Sequence, residues 1–157
     1  MSEVIIIAPH PDDECIGLWE ILTDPEIKPI IIYTADVGEP RKEEALKLKE
    51  YCDIKVQLYQ HSIPTHFLTP DNVFYMPDPI YETNPEHRLQ GSIGEQMVRG
   101  GLNVIFYSIN MNVPYSHEVF NFEEKKKMLN EVYPSQKDLW EYEAKYYLFE
   151  ARYQWLM

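Results

Sequence analysis

The stretch Val4–Gly17, VIIIAPHPDDECIG, decides how the chain is read. Val4–Ala8 is apolar at every position and mostly β-branched. An unbroken run of this kind marks a strand covered on both faces, not one with a wet side. Pro9 and Pro11 then bracket His10, and Asp12, Asp13 and Glu14 follow at once. From Glu14 to Thr23 the apolar residues Ile16, Trp19, Ile21 and Leu22 recur at helical spacing, up to an Asp24-Pro25 stop. Lys28–Asp36 (KPIIIYTAD) is a second buried strand. Glu39–Cys52 reads as an exposed helix with Pro40 near its start, and Ile54–Gln60 as a third, more peripheral strand. Strand–helix–strand–helix–strand in this order predicts an α/β fold with a mainly parallel sheet and right-handed crossovers.

The rest of the chain extends that pattern. His61–Thr83 is rich in proline and turn residues and reads as a long loop over the sheet, with a short strand at Asn72–Met76. Pro85–Arg99 is a helix closed by Gly100–Gly101, and Leu102–Asn110 a fourth strand. Asn121–Tyr133 forms a helix stopped by Pro134. Ser135–Met157 reads as one long final helix carrying Trp140, Tyr147 and Phe149, whose aromatic surface makes a homo-oligomer an expectation. No repeat or linker divides residues 1–157, so one domain is expected.

Composition narrows the function. With 26 acidic against 14 basic residues the formal charge is −12, which argues against a nucleic-acid polymer or an anionic membrane as partner. No apolar run has the length of a membrane span and no signal peptide is evident, so a cytoplasmic protein is expected. Cys15 and Cys52 are too few and too far apart for a disulfide framework or a cysteine zinc site.

The chemistry gathers where the first strand ends, since open parallel sheets bind ligands outside the carboxyl ends of their strands. Acidic residues at a helix start are often no more than charges favoured by the helix dipole. A histidine just before them, straight after a buried strand, points instead to a cation. His10 and Asp13 are three residues apart around a turn, so a nitrogen and an oxygen can converge, while Asp12 between them points beside the ion. A catalytic zinc takes three such ligands and leaves one position open. His61, His66, His87 and His117 compete for the third place. His87 lies in the first turn of a helix that Asn84 can cap and Pro85 can open, so two similar helix starts can face each other. His117, after the fourth strand, is placed to line the pocket.

These residues resemble a known family. APHPDDE is similar to the A-H-P-D-D-E signature of the PIG-L/LmbE-like zinc-dependent N-deacetylases. TADVGEPRKEEA, NPEHR, KKKMLNEVYPSQ and FEAR resemble further segments of that family, in family order over nearly the whole chain. The resemblance implies a Rossmann-like three-layer domain, with zinc held by His10, Asp13 and His87 and with Asp12 as general base. It also implies hydrolysis of an N-acetyl or other N-acyl group on an amino sugar or its conjugate, a small-molecule substrate. Alternatives are a non-sugar amine such as a modified nucleoside or thiol conjugate, or a catalytically degenerate metal- or glycan-binding homologue. Asn84 stands where the family carries a further histidine, and an amide donates a hydrogen bond but delivers no proton. His117 is the candidate to supply that imidazole. Asp36 is a pocket residue or a cap for the next helix. The resemblance puts Arg41 near the substrate rather than on a solvated helix face.

Overall fold

Strand β1 (Val4–Ala8) lies inside a seven-stranded sheet. The computed structural model of the chain describes residues 2–58, 62–110 and 113–155. β1 pairs in parallel with β2 (Ile30–Tyr33) on one side and with β4 (Val73–Pro77) on the other, Ile6 opposite both Ile31 and Tyr75. Both edges and both faces are therefore occupied, which is why its apolar run has no polar alternation. β3 (Lys55–Leu58) pairs in parallel outside β2, and β5 (Asn103–Ser108) outside β4. β7 (Phe149–Tyr153) and β6 (Ser116–Glu118) complete the sheet antiparallel, giving the order β3-β2-β1-β4-β5-β7-β6.

Alternate strand residues feed two cores. Ile6, Ala8, Ile31, Tyr33, Tyr75 and Tyr107 pack with Ile16 and Leu18 of α1 (Asp13–Thr23), Ala45 of α2 (Glu39–Lys47) and Leu129 of α4 (Phe122–Val132). Ile5, Ile7, Ile30, Ile32, Phe74 and Phe106 pack instead with Met97 of α3 (Pro85–Arg99). Close approach is built in at two glycines. A Cβ on Gly17 would stand 2.5 Å from the Tyr107 ring, and one on Gly91 would stand 2.6 Å from the Pro79 backbone.

Three expectations need correction. Asn72–Met76 is no adjunct of a loop: as β4 it occupies the middle of the sheet, and Leu102–Asn110 supplies the fifth strand in chain order. The final segment is not one helix. α5 (Lys137–Tyr142) ends at an extended Glu143, a single turn α6 (Lys145–Leu148) follows, and the chain then becomes β7. Pairing with β5 and β6 decides this, since Phe106 faces Tyr153 and His117 faces Glu150 across the ladders. Trp140, Tyr147 and Phe149 are thus divided among α5, α6 and β7. No described helix is long and apolar enough to cross a membrane.

Candidate metal centre

The strand order runs one way from β1 through β2 to β3 and the other way from β4 to β5, so a crevice opens beyond the carboxyl ends of β1 and β4. Each of these strands leads to one half of the site. β1 delivers His10, Asp12 and Asp13 directly. β4 delivers His87 through the 78–84 segment and the first turn of α3. Asn84 caps that helix, its Oδ1 accepting from the Glu86 amide at 2.9 Å, and Pro85 opens it as expected.

Three donor atoms converge. His87 Nε2 is 2.9 Å from Asp13 Oδ2, and His10 Nδ1 is 3.3 Å from both of them. Ligands at the zinc distance of about 2.0–2.1 Å in a tetrahedron lie about 3.3 Å apart, so this spacing fits the edges of such a site. Two imidazole nitrogens and one carboxylate are also one of the donor sets found in catalytic zinc sites. Asp13 does not simply decorate the helix start: its Oδ2 turns back to accept the His10 amide at 2.8 Å. Burial pushes the Asp13 carboxyl up, but His87 and His10 outweigh this and hold it well below the usual carboxylate range. Burial likewise lowers His87, while the Asp13 and Glu82 carboxylates more than reverse that effect.

Asp12 stands beside the cluster and outside its ligand set. Its φ of 121° is the one positive value at a non-glycine position among the described residues. Such a backbone costs on the order of 1–3 kcal/mol and persists only where its surroundings enforce it. Arg41 is one enforcing partner, its Nη2 donating to the Pro11 carbonyl at 2.8 Å and to Asp12 Oδ1 at 3.2 Å. Burial first, then repulsion from Asp13, raises the Asp12 carboxyl well above its ordinary value, with Arg41 opposing. Three residues on in the same helix, Glu44 accepts from the Ser135 amide at 2.9 Å and from its hydroxyl, tying α2 to the segment after α4. Asp36 is exposed in the loop after β2, next to Ala35, whose amide donates to the Pro9 carbonyl at 3.0 Å.

Not every candidate arrives. His117 lies on β6, and its Nε2 meets Glu20 Oε1 at 2.7 Å in the C-terminal half of α1, seven residues past Asp13. It supplies no imidazole to the cluster. His66 is exposed, its ring tilted against that of Phe67, and His61 lies outside the described residues. Asn84 is also exposed, with its oxygen committed to the cap.

Other residues were not found from the sequence. Glu82 is buried, and its Oε1 accepts from Ser108 Oγ and from the Ile109 amide, each at 2.7 Å. Its Oε2 lies 3.5 Å from His87 Nδ1, the buried nitrogen on the far side of the ring from the cluster. A carboxylate in that place favours a proton on Nδ1 and so leaves Nε2 free to ligate. Glu14 is fully buried against the Tyr133 hydroxyl, and burial pushes it up to about 7. Burial pushes the Tyr146 hydroxyl up as well. Lys145 opposes, while Glu143, Glu82 and Asp12 add to the rise, so this phenol on α6 feels the site's carboxylates. Compared with known proteins, the chain matches no family model, no curated protein and no solved structure.

Proposed function

We propose that the chain is a zinc-dependent hydrolase that removes an N-acetyl or other N-acyl group from an amino sugar or its conjugate. In this reading residues 1–157 form one PIG-L/LmbE-like domain, and the order β3-β2-β1-β4-β5 supports a Rossmann-like three-layer arrangement. Two unpaired cysteines accord with a cytoplasmic setting. The observation that carries the proposal is the convergence of His10 Nδ1, Asp13 Oδ2 and His87 Nε2, with a strained, Arg41-held Asp12 alongside.

His10, Asp13 and His87 would hold a zinc ion, which would supply polarisation of an amide carbonyl and lower the pKa of water toward neutrality. The chain's own groups do the rest. Asp12, with Oδ1 anchored on Arg41, accepts the proton of the attacking water and returns it to the departing amine. Water and amide thus become a carboxylic acid and a free amine. Glu82 keeps the His87 ring in the ligating tautomer. With its oxygen committed to the helix cap, Asn84 has only its exposed amide nitrogen to offer a developing oxyanion, and Asp36 and Arg41 are the residues proposed to border the substrate.

A second reading has its own support. Among the described residues no further imidazole joins His10 and His87, which leaves a metal-binding protein without turnover as the rival. Metal analysis of purified protein, with acetate release over a panel of acetylamino sugars, separates the two. We expect about one zinc per chain, lost in His10→Ala, Asp13→Ala and His87→Ala. Asp12→Asn keeps zinc but drops turnover by about 10²-fold or more. Zinc content indifferent to His87→Ala overturns the ligand set. Full zinc without turnover on any substrate favours the rival.

A further inference from the structure

Helix α1 is broken in its middle. Leu18 has φ −138° and ψ 31°, outside helical space. In a regular helix the Glu20 amide donates to the Ile16 carbonyl. Here that amide donates to Glu150 Oε1 on β7 at 3.1 Å, and the carbonyl accepts from Lys125 Nζ on α4 at 2.6 Å. The two side chains are fully buried and face each other at 3.7 Å. Lys125 also donates to the Phe149 carbonyl at 3.1 Å, and Glu150 Oε2 accepts from Arg152 at 2.9 Å. Side chains inserted into a helix ladder are a known cause of kinks.

The insertion isolates the turn that carries a metal ligand. At the front, the Asp12 carbonyl accepts the Ile16 amide at 2.8 Å. At the rear, Lys125 takes the Ile16 carbonyl, a cation at a helix C-terminus. Beneath, Gly17 sits on Tyr107 with no room for a Cβ. An apolar pair of similar volume would avoid burying two ionisable groups, and such replacements are often stabilising. It would leave the Ile16 carbonyl and Glu20 amide to find each other, straightening the helix.

We propose that Lys125 and Glu150 are positioning residues for the metal cluster: by taking the two backbone groups released at the kink, they fix the Asp13–Gly17 turn and so set where the Asp13 carboxylate meets His10 and His87. The zinc reading above is needed for only one of the two readouts that test this. The other is hydrogen exchange at the His10 amide, which Asp13 Oδ2 protects in the metal-free protein.

The test compares the parent with Lys125→Met/Glu150→Leu and with Glu150→Gln. In the double variant, His10 exchange should accelerate about tenfold or more, while Ile6 and Ile31 in the central strands keep their protection. Zinc affinity, from competition with a chromophoric chelator, should fall about tenfold or more. A folded double variant within about threefold of the parent on His10 exchange overturns the proposal. Glu150→Gln retains an oxygen for the Glu20 amide and leaves Lys125 on Ile16, so both readouts should stay within about threefold. It carries the test alone if the double variant does not fold, and a tenfold change there overturns the proposal. A parent that binds no zinc defeats the function reading, while His10 exchange still judges the positioning role.

Discussion

Replacing Glu82 with Gln tests how the site selects the tautomer of His87. The substitution is isosteric, and the remaining carbonyl oxygen can still accept from Ser108 Oγ and the Ile109 amide. What changes is the face 3.5 Å from His87 Nδ1, where an anion becomes an amide that donates. A donor there makes Nδ1 the acceptor and moves the ring proton to Nε2, the atom 2.9 Å from Asp13 Oδ2. Two full charges at 3.5 Å interact by about 5 kcal/mol at an effective dielectric near 20. That is a ceiling, since only part of a charge develops on the ring when its other nitrogen ligates. Outer partners of metal-bound histidine contribute about 10- to 100-fold in affinity, or about 1.4–2.7 kcal/mol. Zinc affinity of Glu82→Gln should fall within that range in a chelator competition, with a melting curve confirming the fold. The His87 ring should also titrate lower, because Glu82 is one of the carboxylates that raise it. Parent-like zinc affinity in the folded variant refutes the orienting role.

Asp12→Gly removes both the strained positive φ and a buried carboxylate, so thermal stability should rise by the equivalent of about 1 kcal/mol while hydrolysis is lost. A less stable Asp12→Gly in calorimetry means that the Arg41 contact outweighs the strain. Gly17→Ala puts a methyl 2.5 Å from the Tyr107 ring, so α1 must lift or the ring must turn, at about 1–3 kcal/mol in a denaturant melt. Burial pushes Glu14 and Glu150 from an ordinary 4.5 up to about 7. Each folded carboxyl therefore keeps its proton longer than the unfolded chain does, and stability falls as pH rises from about 4.5 to about 7. His87, raised in the fold, adds stability below its unfolded pKa that is lost at higher pH, the same direction. The metal-free melting temperature should be lower at pH 8 than at pH 5, and a rising profile contradicts the assignment.

The parts of this fold that were legible are those with only one physical solution. β1 needs cover on both faces, and α3 begins at Pro85 and ends at Arg99, just before Gly100. β7 was not legible, because Phe149–Tyr153 follows good helix formers and becomes a strand only by pairing with β5. His10 and Asp13 could be nominated from their place between a buried strand and a helix start, and His87 from the Asn84-Pro85 helix start just before it. Glu82 could not, as its place beside His87 depends on how the 78–84 segment folds back to meet Ser108. His117 misled because following a strand in sequence says nothing about which edge the next strand joins. The polar contacts of α1 were equally hidden, since nothing in the spacing of Lys125 and Glu150 shows that both reach the backbone in the middle of that helix.

Charge and strain fall on the same few residues. Asp12, Asp13 and Glu14 are consecutive and buried, and Arg41 Nη2 reaches the first of them. Burial leaves Asp12 and Glu14 raised, while Asp13, between two imidazoles, is held low. Three adjacent acids in one environment thus divide into one committed anion and two reluctant ones. Pushing neighbouring carboxyls apart in this way is what acid–base chemistry at one site requires. Stability alone would favour dispersing these groups and giving glycine to position 12, where φ is 121°. A sequence that keeps the strain, the crowding and a guanidinium to hold both in place has spent stability on where one carboxylate points.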